Sequence, residues 1–334
     1  MKKKDYFNSV LHKETGERHL AGGKGCEDSV YTSFSKETGV KTISLSDGAG
    51  SYSNAAIGSE ITSEVSAEVM TKDFELLYGM NDAEAARYII SKVREPLENK
   101  ARISGNDLIS YSATLLSVAM HPDGRFIAFH IGDGVIVGYS PEAGCKTISI
   151  YEHMGPSNQT TFVTIDDTEY NYIKGRNDYS AFVLMSDGPE EFLVNKTEMS
   201  FRVQMMIELA YFISESAMKE QLASLISFLK EKGMTDDASF ALIANKQVTS
   251  QVFSALSPQM LDLLFESDGD IGSKRLKKIR DVLDIISLCE NGASLQQIYR
   301  RLHVHSAKIA KKKLNCMTQM QLIEFFNGKY YIAR

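Results

Sequence analysis

The sequence lacks the features by which membrane, secreted and disulfide-stabilised proteins are recognised. No apolar run in its 334 residues approaches the ~20 residues that a membrane-spanning helix needs. The basic start has neither the apolar core nor the cleavage site of a signal peptide. The four cysteines, Cys26, Cys145, Cys289 and Cys316, are widely scattered and form no CxxC pair. A disulfide framework and a cysteine zinc site are therefore excluded, and we expect a cytoplasmic protein with no membrane partner.

Histidine clusters and nucleotide-binding loops are lacking as well. The histidines at 12, 19, 121, 130 and 153 have no metal-ligand spacing. The glycines at 22, 23 and 25 do not lie between a strand and a helix, so we interpret them as a turn. No internal repeat and no low-complexity tract is present. The chemistry must therefore come from other residue types.

Three short runs contain acidic residues at the ends of apolar segments. Asp47 and Asp187 follow runs that are typical of buried strands, and Asp236 precedes such a run. Carboxylates at strand ends are held stiffly, and oxygen ligands of this kind bind hard divalent cations. Glycine after the first two aspartates allows a sharp turn, which would let a main-chain carbonyl join them. One Asp-Gly pair is typical of a turn alone, but three such runs favour a cation site.

The order of predicted elements up to residue 245 indicates a layered α+β domain. Short strands are expected within 6–46, followed by helices at 54–77 and from 81 to about 97. A strand meander follows from 113 to 185 and includes a strand at 161–165. A helical stretch at 196–230 and a strand at 239–244 complete domain 1–245.

The remaining residues differ in charge, because the net charge of −6 hides a strongly basic segment from 273 onward. Residues 246–272 are predicted to be a connector that carries a helix at 259–265. Beyond it, we predict helices at 274–289, 295–302 and 306–317 and strands at 322–326 and 329–333. Asn327-Gly328 between the two strands is a strong hairpin signal. Three helices and a hairpin predict a winged helix-turn-helix domain at 273–334, with protein or nucleic acid as its partner.

Taken in order, the acidic motifs of residues 6–245 resemble the PP2C (PPM) family of metal-dependent serine/threonine phosphatases, in a divergent bacterial form. The matching pieces are Glu27-Asp28-Ser29, Asp47-Gly48-Ala49-Gly50, Ser112-Ala113-Thr114, Ile131-Gly132-Asp133-Gly134, Ser186-Asp187-Gly188 and Asp236-Asp237-Ala238-Ser239. The resemblance implies an α-β-β-α sandwich of two packed β-sheets flanked by helices, with a binuclear Mn²⁺ or Mg²⁺ site at one end.

The resemblance also implies roles for individual residues. Asp47, Asp187 and Asp236 would be the catalytic metal ligands: Asp47 would bridge two ions, the Gly48 carbonyl would bind one, and Asp187 and Asp236 would hold the other. Glu27 and Asp28 would lie in the outer shell. Asp133 matches a ligand of an accessory third ion, and a hairpin-turn aspartate is the alternative interpretation. A metal-activated water would then attack the phosphate monoester of phosphoserine or phosphothreonine directly, and Cys26 would not be the nucleophile.

Two positions depart from the family pattern. Ala49 stands where many members carry a histidine that is proposed to donate a proton, and Gly23 stands where the family tends to place a phosphate-binding arginine. Lys24 is next to it, and we interpret it as either the phosphate ligand or a solvated loop lysine. We expect the substrate to be a protein phosphorylated by a bacterial serine/threonine kinase. The alternative is a catalytically weak phosphatase fold that acts as a regulator or adaptor through its basic tail.

Overall fold

The computed structural model describes residues 3–150, 160–194, 199–264, 281, 284–286, 288–289, 292–302, 307–319 and 322–332. The chain divides into two compact units. The first consists of Met1–Ala210 and Glu215–Ala244, and the second of Tyr211–Ser214 and Asn245–Arg334.

Two five-stranded antiparallel sheets form the centre of the first unit. The first sheet has the order β1-β10-β9-β6-β7, from β1 (Phe7–Glu14), β6 (Val135–Ser140), β7 (Gly144–Ile150), β9 (Ala181–Met185) and β10 (Ala238–Asn245). The second has the order β2-β3-β4-β5-β8, from β2 (Ser29–Phe34), β3 (Lys41–Ser46), β4 (Leu115–Met120), β5 (Arg125–Ile131) and β8 (Asn171–Arg176).

The two sheets share a hydrophobic core. Leu116 and Val118 of the second sheet pack in one cluster with Phe182 and Leu184 of the first. Leu115 lies in a different cluster, with the helices that cover the outer face of the second sheet. Because side chains alternate between the two faces of a strand, β4 is buried on both sides, and this explains its nearly continuous apolar sequence.

Seven helices surround the sheets in the described part of this unit. They are α1 (Glu17–Ala21), α2 (Ala55–Lys72), α3 (Phe74–Gly79), α4 (Asp82–Ser104), α5 (Asp187–Leu193), α6 (Phe201–Leu209) and α7 (Glu215–Glu231). The side chain of Asn81 caps α4 by accepting from Glu84 N at 2.9 Å, as is typical of asparagine at a helix start. None of the described helices is long and apolar enough to cross a bilayer.

Three predicted boundaries were wrong. Helix α4 continues through Pro96 to Ser104, because its stripe of Ile89, Val93 and Ala101 is buried against the core. The stretch predicted as one helix is two, α6 and α7. Residues 161–165 do not form a strand. Val163 N donates a hydrogen bond to Ala113 O, and Ile165 N donates one to Phe162 O within a turn.

The second unit contains α8 (Thr249–Ala255), α9 (Pro258–Leu264), α10 (Leu295–Arg301) and α11 (Ala307–Gln319). Its three-stranded antiparallel sheet has the order β11-β13-β12, from β11 (Ala293–Ser294), β12 (Ile323–Phe326) and β13 (Lys329–Ile332). The predicted hairpin is present, with positive φ at Asn327 and Gly328. Most of the predicted helix 274–289 lies outside the described residues, so the winged-helix arrangement and the domain boundaries stay predictions.

Helix α2, which follows the run that contains Asp47, packs closely against its neighbours because Gly58 has no side chain. A Cβ at Gly58 would lie 2.1 Å from Tyr111 O, whereas a Cβ at Gly79 of α3 would meet no atom within 4 Å. We predict that Gly58→Ala destabilises the protein by about 1–3 kcal/mol, although alanine is the better helix former. Gly79→Ala is the matched control and should be neutral or stabilising. Denaturant unfolding of both variants tests this; equal stabilities would contradict the close packing of α2.

Candidate active site

Four aspartates line one pocket of about 460 Å³ in the first unit. Asp47 follows β3, and Asp187 follows β9 and opens α5. Asp133 lies in the tight turn between β5 and β6, and Asp236 comes shortly before β10. Strand ends of both sheets thus bring these carboxylates to a common pocket, which includes the aspartates of all three acidic runs.

The backbone around Asp47 is fixed by its neighbours. Asp47 N donates to Thr114 Oγ1 and Thr114 N donates to Asp47 O, both at 2.9 Å. A Cβ at Gly48 would lie 2.7 Å from the carbonyl oxygens of Ala55 and Glu27. Only glycine fits there, so the carbonyl that the sequence analysis singled out belongs to a rigid segment.

The pocket carboxylates repel one another in a buried environment. Burial, followed by the charges of Asp28, Asp187 and Asp133, raises the pKa of Asp47 well above its ordinary value. Burial and then the charges of Asp133 and Asp236 raise the pKa of Asp187 to about 7. These carboxyl groups therefore keep protons at pH values where an ordinary aspartate is ionised.

Glu190 belongs to the same electrostatic group. It lies in the first turn of α5, where burial and the charges of Asp133 and Asp187 raise its pKa to about 7. Sequence reasoning missed this residue, because nothing in the sequence shows that the first turn of α5 comes close to the turn that carries Asp133.

Glu27 and Asp28 lie beside this cluster with unsatisfied oxygens. Both carboxylate oxygens of Asp28 and Oε2 of Glu27 are buried, and none of them has a well-formed hydrogen bond to a residue that the structure describes. Burial raises the pKa of Asp28 to about 6, although nearby hydroxyls, foremost that of Ser239, oppose the shift. Buried, unpaired carboxylate oxygens are unfavourable unless water or a cation joins them.

The candidate ligands suit a hard divalent cation, because all of their donor atoms are oxygens. In the part of the chain that the structure describes, however, no group of three His, Cys, Asp or Glu side chains is arranged to hold a metal ion as it stands. An ion would have to draw them together, and the ligand set predicted from the sequence stays a prediction.

A second carboxylate, Asp237, ties the segments around the pocket together. Asp237 is buried and accepts from Gly16 N and Glu27 N, each at 2.7 Å, and it lies 2.9 Å from His19 Nδ1. His19 lines the pocket, and its Nε2 is 3.6 Å from Glu27 Oε2. The sequence analysis gave neither residue a function, because their meeting depends on contacts between segments more than 200 positions apart.

Two basic side chains line the pocket. Lys24 Nζ lies 3.1 Å from Glu27 Oε1 and 3.0 Å from Gly50 O, while its side chain is 47% exposed. Its two interpretations, a phosphate ligand or a solvated loop lysine, therefore stay predictions. Arg18 of α1 has a largely exposed side chain whose Nη1 is 3.8 Å from Asp236 Oδ2. Sequence reasoning missed Arg18, because α1 is a single short turn with no periodic signal.

Cys26 is a poor nucleophile. Burial and then the charges of Asp28 and Asp237 raise the pKa of its thiol to about 12, so the thiolate is scarce at neutral pH. This supports the prediction that the cysteine takes no part in the chemistry.

Comparisons with known proteins agree with this geometry. The sequence pattern of the family described as Protein phosphatase 2C matches residues 15–227. No curated protein matches the chain. A solved bacterial serine phosphatase shares 16% identity and a TM-score of 0.51, over 72% of this chain and 98% of that one. The catalytic domain of the serine threonine protein phosphatase PstP, solved with two manganese ions, shares 14% identity and a TM-score of 0.52, over 71% of this chain and 97% of that one. At these identities the structural matches show the fold alone.

We predict that Asp237→Ala destabilises the protein by about 3 kcal/mol, because two buried backbone N–H groups lose their acceptor. Asp107→Ala is the control and should change little, because Asp107 is exposed and its side chain makes no capping hydrogen bond to the short helix that follows it. Thermal unfolding with amide hydrogen exchange at Gly16 and Glu27 is the measurement. Unchanged stability and exchange would show that Asp237 does not hold these segments.

The raised pKa of Asp187 predicts how the metal-free protein responds to pH. Its folded value of about 7 exceeds the ordinary value of 3.8, so the folded state binds the proton more tightly. Stability should therefore fall as pH rises from about 4 to about 7 and then level off. Asp187→Asn lacks this group, so its Tm advantage over the wild type should grow across that range in the presence of chelator. Parallel Tm curves for the two proteins would contradict the electrostatic account.

Proposed function

The chain belongs to the protein phosphatase 2C family, and on that basis we propose that it is a metal-dependent phosphatase that hydrolyses phosphoserine and phosphothreonine in proteins. The observation that carries the proposal is the pocket lined by Asp47, Asp133, Asp187 and Asp236, where burial and mutual repulsion raise the pKa values of Asp47 and Asp187. A bound cation would offset this repulsion, and divalent cations also stabilise the charge on a phosphate group during its hydrolysis.

Asp47, the carbonyl of Gly48, Asp187 and Asp236 would hold two Mn²⁺ or Mg²⁺ ions. Glu27 and Asp28 would support them from the outer shell, and Asp133 would serve an accessory third ion. The unsatisfied oxygens of Asp28 and Glu27 support this assignment, as does the presence of two manganese ions in PstP. When bound, such ions activate water for attack on phosphorus and neutralise the phosphate oxygens.

Two cationic side chains of the protein would position the substrate phosphate and compensate its negative charge. Lys24, held by Glu27 and Gly50, and the exposed guanidinium of Arg18 would attract and orient the phosphate at the pocket. Arg18 thus offers the planar guanidinium that the sequence lacks at position 23. Ala49 has no proton to give, so water would protonate the leaving alkoxide. Cys26 is not proposed as a nucleophile, because burial raises the pKa of its thiol to about 12.

The substrate would be a protein that a bacterial serine/threonine kinase has phosphorylated. The second unit would add a contact of its own, with protein or nucleic acid. Lys308, Lys311 and Lys312 are exposed on α11, and Phe325 and Phe326 are exposed on β12. Exposed cations and aromatic side chains together are typical of interaction surfaces.

A regulator with little catalytic activity is the second candidate. The observation that favours it is that the described carboxylates are not arranged to hold a metal as they stand. Turnover of a phosphopeptide in the presence of Mn²⁺ separates the two candidates.

We predict that the purified protein hydrolyses a phosphoserine peptide only when Mn²⁺ or Mg²⁺ is present. Asp47→Asn should lower kcat/KM by about 10²-fold or more, the scale expected when a group that stabilises the transition state is lost, while the fold persists. Asp107→Asn is the matched control and should keep full activity. Turnover that resists chelator, or full activity of Asp47→Asn, would overturn the proposed site; absence of turnover by the wild type in Mn²⁺ would favour the regulator.

A further inference from the structure

The pocket has an aromatic wall that the proposed chemistry does not use. Phe162 lines the pocket together with Asp47 and Asp133. Its ring meets the ring of Tyr52 edge to face, with centroids 6.3 Å apart and an interplanar angle of 85°. Both side chains are half-buried, whereas the next residue, Val163, is fully buried in the core. Phe162 is thus displayed at the pocket with the ring of Tyr52 against it, and neither ring is absorbed into the core.

The segment that carries Phe162 is fixed on both sides of the ring. Before it, Thr160 Oγ1 donates to Asp133 Oδ2 at 2.6 Å. After it, Val163 N donates to Ala113 O at 3.1 Å, and the hydroxyls of Thr164 and Ser112 are 2.7 Å apart. A ring held in this way loses little conformational freedom when a ligand packs against it.

The other half of the pair is tied to the acidic pocket as well. Tyr52 lies in the segment between Asp47 and α2, and its N donates to Ala49 O at 2.9 Å. The two aromatic side chains therefore start from segments that also hold Asp47 and Asp133. A substrate whose phosphate reaches these aspartates brings its neighbouring residues to the aromatic pair.

We propose that Phe162, supported by Tyr52, binds an apolar side chain next to the phosphorylated residue and so selects the substrate sequence. This inference rests on the proposed phosphatase function and adds the class of peptide on which the site acts. Aromatic rings contribute to binding through buried area and through ring-edge contacts, and both favour leucine, methionine or phenylalanine over small or charged neighbours.

The test compares two phosphoserine peptides that differ only in the residues flanking the phosphoserine, leucine in one and alanine in the other. For the wild type with Mn²⁺, we expect the leucine peptide to have a KM lower by about tenfold, with similar kcat, which corresponds to burial of most of one apolar side chain. In Phe162→Ala this preference should disappear through a rise in KM for the leucine peptide alone. Phe162→Leu, which keeps an apolar surface, should retain most of the preference.

Phe201→Ala is the matched control, because Phe201 is an exposed phenylalanine outside this pocket, and it should leave both peptides unchanged. Equal KM values for the two peptides with the wild type would overturn the proposal. So would an equal loss of kcat on both peptides in Phe162→Ala, since that result would mean that the ring only positions Asp133. If neither peptide is hydrolysed, the phosphatase function fails. The aromatic wall is then tested by the peptide Kd values, which should show the same preference and the same loss in Phe162→Ala.

Discussion

The structure around the pocket is governed by the repulsion between buried carboxylates. Asp47, Asp187, Asp28 and Glu190 all have raised pKa values because burial removes water and neighbouring acids add like charge. Two packed sheets can keep such a cluster at their edge only because the rest of the domain supplies the stability. The two apolar clusters, one between the sheets and one under α2 and α4, are that source. A cation that binds among these carboxylates would offset the unfavourable free energy of burying them close together.

Asp237 stands in contrast to these acids, since its charge is used within the protein. Its two oxygens accept from the backbone at Gly16 and Glu27 and contact His19, so it joins the α1 segment, the Glu27-Asp28 segment and the start of β10. Adjacent aspartates in one motif thus have different duties: Asp236 is partly exposed at the pocket, while Asp237 holds the surrounding segments in place. Arg18 and Lys24 reach the pocket from segments that Asp237 anchors.

Local patterns were enough to predict much of this arrangement. Apolar runs predict the strands that lead to Asp47 and Asp187, capping chemistry predicts the cap at Asn81, and turn chemistry predicts the Asn327-Gly328 hairpin. All three act over a few residues.

Long-range contacts decided the rest. Helix α4 passes Pro96 because of its buried stripe, and residues 161–165 turn because Ala113 and Thr168 bind them. The positions of Arg18, His19, Asp237 and Glu190 depend on contacts that no local pattern encodes. The predicted metal ligands and the winged-helix arrangement stay predictions.

The central claim is that the pocket carboxylates share protons for want of a cation, and a calorimetric titration with Mn²⁺ tests it most directly. Performed near neutral pH in buffers of different ionisation enthalpy, it measures how many protons are released per ion bound. The account predicts saturable Mn²⁺ binding with net proton release that disappears at high pH, because carboxylates with raised pKa values must ionise to bind the metal. Binding without proton release, or no binding by the wild-type protein, would contradict it.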